Sequence, residues 1–238
     1  VILKNQKIFL GPRQFTTDLA AVAIEGGVEP QDDTVFGDST RQFEAGLHVI
    51  GWSMEGFWSS EDGAGDVDPA LFGNLSLNGV PLTILAESAD VGDRAFATRI
   101  VQSEYHFGGT VGDIHKFTAS GEVTERLVRA LTLFNGTAAA SADGTGVQVG
   151  AAATGETVFA ALHVVSASPS DTLDVEIESD DDVGFGSPTT RFTFAQATDE
   201  TSEFLTLAGP VTDDWWRIAF TIGGTDPSFT FAVVLGIH

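Results

Sequence analysis

A two-residue alternation of apolar and polar side chains runs through most of this 238-residue chain, and it constrains the fold more than any other feature. Strands place every second side chain on one face, whereas helices repeat every three or four residues, so the pattern commits the chain to β structure. In Ser228–His238 the set Phe229, Phe231, Val233, Leu235 and Ile237 alternates with smaller residues. In Trp215–Ile222, Trp216, Ile218, Phe220 and Ile222 face one way and Arg217 and Thr221 the other. Thr172–Glu178 puts Leu173, Val175 and Ile177 inside and Asp174, Glu176 and Glu178 in water. Val158–Val165, Thr190–Phe194 and Glu203–Leu207 read as further strands, separated by Gly, Pro, Asp and Ser clusters. Strands at this short spacing predict a β-sandwich of jelly-roll or Ig-like type.

The first half is β-rich but less uniform. Leu19–Ile24, Gly46–Trp58, Val80–Ala86, Arg94–Phe107 and Thr110–Ser120 all read as strands, and Gly46–Trp58 and Arg94–Phe107 are long enough to cross a domain face or project beyond it. One helix start is predicted, with Asp68 as N-cap and Pro69 at the first helical position before Ala70-Leu71-Phe72. Glu122–Leu133 fits a second helix or a strand equally well. The stretch 135–146 lacks large apolar residues and reads as a linker, which divides the chain into a domain at 1–134 and a second at 147–238.

Charge narrows the function. Eleven Lys and Arg against 34 Asp and Glu give −23. After Leu133 only Arg191 and Arg217 face fifteen acids. Such a chain is repelled by nucleic acid and by anionic membrane surfaces. An acidic, lysine-poor surface suits concentrated salt, where screening removes self-repulsion, so a halophilic or marine source is expected. Cysteine is absent, which excludes disulfide and thiolate chemistry. No apolar run is long enough for a membrane span, and Val1-Ile2-Leu3-Lys4 opens no secretory signal, so synthesis inside the cell is expected.

Catalytic signatures are missing: there is no G-x-S-x-G elbow, no H-E-x-x-H and no phosphate-binding G-x-x-x-x-G-K-[ST]. The histidines His48, His106, His115, His163 and His238 are scattered along strands. His106 and His115 could meet across a hairpin through Gly108-Gly109, but nothing supplies the further ligands that zinc needs. The acidic runs Glu61–Asp68 and Asp180–Asp182 suit Ca²⁺ in donor type yet match no EF-hand spacing, and solvated loops explain them in so acidic a chain. Trp215 and Trp216 point to opposite faces of a strand, so at most one could stack on a sugar and the other belongs to the core. No catalytic, cofactor or metal residue is assigned.

One segment carries a resemblance. The run Pro30-Gln31-Asp32-Asp33-Thr34-Val35-Phe36-Gly37-Asp38-Ser39-Thr40-Arg41, followed by Ala45-Gly46-Leu47 and Ser53-Met54-Glu55-Gly56-Phe57-Trp58, resembles the first half of major tail tube proteins of long-tailed bacteriophages. Tyr105-His106-Phe107-Gly108-Gly109-Thr110-Val111-Gly112-Asp113 and Phe117–Gly121 look like later parts of the same fold, in the family's order. The resemblance covers roughly the first half of the chain. It implies a tail-tube-type β-sandwich or barrel domain with one or two short helices. It also implies a homohexameric ring whose long strands join into one inner barrel, and rings stacked into a tube through which the genome is ejected. The second half would be an appended decoration sandwich.

The expected protein is therefore a structural, non-enzymatic virion protein of the tail, made in the host cytoplasm. Its partners would be its own copies and other tail proteins, with DNA passing through without specific binding and no membrane. Two rivals differ in class: a carbohydrate-binding or adhesin-type sandwich using Trp215 or Trp216, and a hydrolase using paired carboxylates such as Asp180 and Asp182.

Overall fold

The computed structural model describes residues 6–37, 39–60 and 66–238. Among these residues it is mostly β, with one short helix. In chain order the elements are β1 (Lys7–Leu10), β2 (Arg13–Gln14), β3 (Leu19–Asp32), β4 (Phe43–Phe57), α1 (Val67–Asn74), β5 (Val80–Leu85), β6 (Arg94–Gly108), β7 (Lys116–Val123) and β8 (Val128–Ala138). There follow β9 (Ala142–Asp143), β10 (Val147–Gln148), β11 (Thr157–Ala167), β12 (Thr172–Asp180), β13 (Thr189–Thr193), β14 (Thr201–Ala208), β15 (Trp215–Gly223) and β16 (Phe229–Ile237). Among the described residues no helix is long and apolar enough to cross a membrane.

The chain forms two compact units, one from residues up to Thr17, Val80–Arg99 and Glu125–His238, the other from Asp18–Gly79 and Ile100–Thr124. In the first unit one sheet has the order β14-β11-β16-β8-β6-β5-β1-β2, and a second has β10-β15-β12-β13 with β9 beside β15. The alternation read in β12, β15 and β16 feeds one core between the sheets, where Leu173, Val175, Ile177, Trp216, Ile218, Phe229, Phe231, Val233 and Leu235 are buried together. The intervening residues of β16 and β11, Ala232, Val234, Phe159 and Ala161, enter a second core with Phe9, Leu85 and Phe204. A strand buried on both faces carries a near-continuous apolar run, which is what β11 shows.

His163 is fully buried on β11 and ties three elements together. Its Nδ1 lies 2.7 Å from the Gly11 carbonyl and its Nε2 lies 2.8 Å from Thr83 Oγ1. A carbonyl only accepts, so Nδ1 carries the proton and Nε2 accepts from Thr83. Burial lowers the His163 pKa to about 4, and the ring stacks on Phe9 at 5.4 Å.

Two expectations are corrected here, and the choice left open at Glu122–Leu133 is decided for strand. The stretch 135–146 is not a linker: Asn135, Gly136, Thr137 and Ala138 continue β8 and pair with Ala232, Phe231, Thr230 and Phe229 of β16. Backbone ladders need no large side chain, and the Asn135 amide is itself bonded to the Ala89 carbonyl and to Lys7 Nζ. The chain therefore does not divide at 135–146, because β8 belongs to the same unit as β16. Glu122–Leu133 holds no second helix; β7 ends at Val123 and β8 begins at Val128. Finally, Asp68 is not the N-cap of α1. Asp66 occupies that position without a side-chain cap bond, which places Pro69 at the third helical residue, where no intrahelical N–H is needed.

Candidate assembly surface

The second unit is a four-strand antiparallel arrangement in the order β3-β4-β7-β6, using the part of β6 beyond Ile100. Register fixes which side chains share a face. Met54 lies opposite Val22 and Ala119, Trp52 opposite Ile24 and Gly121, and Tyr105 opposite Ala119. This face is covered: Trp52, Met54, Phe117, Ala119, Val67 and Leu71 are buried, and Gln102 Nε2 donates to the Leu71 carbonyl of α1 at 2.9 Å.

Two glycines make that packing possible. A Cβ on Gly56 would collide with the Asp18 carbonyl, and one on Gly121 would collide with the Val101 carbonyl. Both lie beside register shifts, at Leu19/Ala21 and Gln102/Glu104, where bulged backbone comes close.

The role of Asp68 is to accept hydrogen bonds from the sheet. Its Oδ1 lies 2.7 Å from the Tyr105 hydroxyl and 3.3 Å from Trp58 Nε1, and Trp58 Nε1 also reaches Tyr105 Oη at 3.0 Å. Burial, together with the Asp68 carboxylate, raises the Tyr105 pKa. Trp58 in turn stacks on Phe107 and meets the His115 ring edge at 5.0 Å. Asp68→Ala should cost about 1–3 kcal/mol by leaving the Tyr105 hydroxyl without its acceptor. It should also move the absorbance titration of Tyr105 to lower pH, because the Asp68 carboxylate raises its pKa. An unchanged melting temperature would refute the role.

The opposite face is open. Ala21, Glu25, Ser53, Glu55, Thr118, Glu122, Glu104 and His106 are exposed on it. Toward the β3–β4 turn Val49, opposite Gly27, is 57% exposed on this face, and beyond the register shift at Val28/Pro30 Phe43, opposite Asp32, is 54% exposed on the other. The two outer strands, β3 and β6, pair with no further strand of this unit among the described residues. A long strand with an unpaired edge templates association with another chain.

The other sequence candidates do not converge. His106 lies 3.9 Å from Glu104, while His115 is engaged by Trp58. Among the described residues no group of three or more His, Asp or Glu could hold a metal ion. Residues 61–65 of the first acidic run lie outside the described residues. Asp180 accepts from the backbone N–H of Asp182 and Ser187, and Asp182 accepts from that of Gly184, so the second run builds its own loop. Those N–H groups hold the Asp180 carboxyl below its usual pKa. Trp216 is fully buried, with Nε1 bonded to the Gly150 carbonyl at 2.9 Å, and Trp215 is half-buried.

No family model and no curated protein matches the chain. Among solved structures it is similar to a chain of the virion of a native gene transfer agent particle. That similarity has 14% identity and a TM-score of 0.44, covering 54% of this chain and 98% of that one. It is similar to the SPP1 Dit protein, described as a paradigm of the hub adsorption apparatus in phages infecting Gram-positive hosts, at 12% identity and TM-score 0.41 over 99% and 100% of the two chains. The SPP1 tail tube is similar at 10% identity and TM-score 0.41, over 53% of this chain and 77% of that one.

Proposed function

We propose that the chain is a tail tube subunit: a structural virion protein, not an enzyme, whose copies join edge to edge into rings that stack into a DNA-conducting tube. The observation that carries this reading is the β3-β4-β7-β6 sheet, covered on one face, open on the other, and unpaired along both outer strands within its unit. Pairing β3 of one copy with β6 of the next removes both free edges and supplies backbone hydrogen bonds as affinity. Repeating that step closes a ring, six-fold in the form the sequence resemblance implies.

The open face suits a lumen. Glu25, Glu55, Glu104 and Glu122 stand among Ser53, Thr118 and small residues, so a polyanion meets repulsion there and passes without specific binding. Other tail proteins would join the tube at its ends, and the protein would reside in the virion tail after synthesis in the host cytoplasm. The decorating role expected of 147–238 passes to the first unit as a whole. The carbohydrate-binding rival is left with Trp215, which is half-buried, because Trp216 is committed to the core.

Negative-stain microscopy with light scattering on the purified full chain tests the proposal. Rings or tubes at high concentration are expected. A strict monomer from low to molar salt would overturn it.

A further inference from the structure

The strands that end the two sheets of the first unit are β14, β2, β10 and β13. Natural sheet edges are kept from pairing by shortness, charge, proline or a bulge. Such devices are present at three of these edges. β2 and β10 have two residues each, and β13 has five, with Arg191 among them and a register shift against β12. β14 lacks all of them. It runs for eight residues, pairs with β11 without a shift, and contains no proline and a single charge, Glu203.

Hydrogen bonding fixes which backbone groups of β14 face outward. Thr157 and His238 exchange two bonds, N–H to carbonyl, at 2.8 and 3.0 Å, so Thr157 turns its polar groups toward β16. Its neighbours turn the other way, and the Gly209 N–H donates to the Glu156 carbonyl at 2.9 Å. In an antiparallel ladder this alternation continues, so Val158, Ala160, Leu162 and Val164 bond to Leu207, Leu205, Glu203 and Thr201. Ser202, Phe204, Thr206 and Ala208 therefore turn their N–H and C=O groups to the free edge. Among the described residues no backbone partner meets them there.

We infer that β14 pairs antiparallel with β14 of a second copy, about a two-fold axis at Leu205. This register uses every outward group: Ser202 bonds to Ala208 of the second copy and Phe204 to Thr206, which gives about eight backbone hydrogen bonds. It also places no acid opposite an acid. Glu203 lies opposite Leu207, and Leu205 meets its own counterpart. Leu205 and Leu207 are half-buried against the core of their own unit, and pairing covers the rest. A basic extended segment from another protein would gain little here, because Glu203 is the one charge along the strand. The contact is isologous, so it joins two copies and stops. It is independent of the β3–β6 pairing proposed for the ring and stands whether or not rings form.

Because the chain holds no cysteine, one introduced thiol reports one position. Full-length Leu205→Cys, mildly oxidised, should run mainly as a covalent dimer on a non-reducing gel. Opposed residues of a non-hydrogen-bonded pair have Cα atoms about 4.5 Å apart, within reach of a disulfide. Glu203→Cys alone should stay monomeric on the gel. Its counterpart lies about 14 Å away, against the roughly 7 Å that a disulfide can span. Glu203→Cys mixed with Leu207→Cys should cross-link, because those positions face each other. Thr206→Pro removes an outward N–H without touching the β11 ladder, and should weaken pairing about tenfold or more in sedimentation. Near-ultraviolet circular dichroism like the parent's identifies folded variants. No dimer from folded Leu205→Cys would overturn the inference, as would equal cross-linking of Glu203→Cys with itself. Cross-linking of Leu205→Cys to His106→Cys on β6, in place of itself, would make another edge the occupant and overturn it too.

Discussion

A chain cut before Gly146 should lose the fold of its first unit altogether, although a composition-based boundary makes that cut look harmless. The deletion removes β11 and β16, and β16 is the neighbour of β8 over eight registered pairs. It strips Phe229, Phe231, Val233, Leu235, Val158, Leu162, Trp216 and Ile218 from one core and Phe159, Ala161, Phe204 and Val234 from the other. Each Val, Leu, Ile or Phe among these contributes about 1.5–3 kcal/mol on burial. What remains keeps the entropy cost of ordering β1, β5, β6 and β8 without the apolar burial that offsets it. The remaining Leu133, Val128, Ala130 and Phe9 would face water. Near-ultraviolet circular dichroism and amide exchange on β8 should therefore show no native signal from this unit. A fragment that melts cooperatively, with β8 protected, would mean the unit is divisible after all.

What the sequence revealed depended on whether a strand answers to near or distant neighbours. β12, β15 and β16 were legible because each buries one clear set of alternating residues. The resemblance also had local physics behind it. Asp32 and Thr34 bond to each other in the turn, and Gly56 and Gly121 stand where a side chain would strike a neighbouring carbonyl. The stretch at 135–138 misled because its small residues lie in a strand whose bulk comes from the partner, as in the Gly136–Phe231 pair. Asp68 misled for a similar reason. Its position before Pro69 fits a cap, but Trp58 and Tyr105, from other elements, decide its role. The extension of β3 to Asp32 carries little alternation because almost all of Gly26–Asp32 is exposed, with no core to select it. The short strands β1, β2, β9 and β10 are defined by pairing alone.

Assembly should strengthen with salt, and strongly enough to separate single subunits from tubes. The whole chain carries −23, and the unit proposed to line the ring carries fifteen acids against two bases. Copies brought edge to edge place Glu25, Glu55, Glu104 and Glu122 of every subunit around one axis, where like charges oppose closure. Salt shortens the Debye length from about 30 Å at 0.01 M to about 3 Å at 1 M. At the higher value repulsion across a lumen vanishes, while strand pairing and apolar burial persist. Contacts of Arg41 and Lys116, the two bases of this unit, with acids of a neighbouring copy pull the other way, since salt weakens exposed ion pairs. Those pairs are worth at most about 1 kcal/mol each, and the fifteen-to-two imbalance outweighs them. Sedimentation between 0.01 M and molar NaCl should show small species giving way to rings and tubes, with a thermal dissociation midpoint that rises. A midpoint that falls across that range would show that ion pairs dominate the contacts. The double replacement Arg41→Gln and Lys116→Gln should then abolish assembly at every salt concentration, whereas under the repulsion account it leaves assembly in molar salt intact.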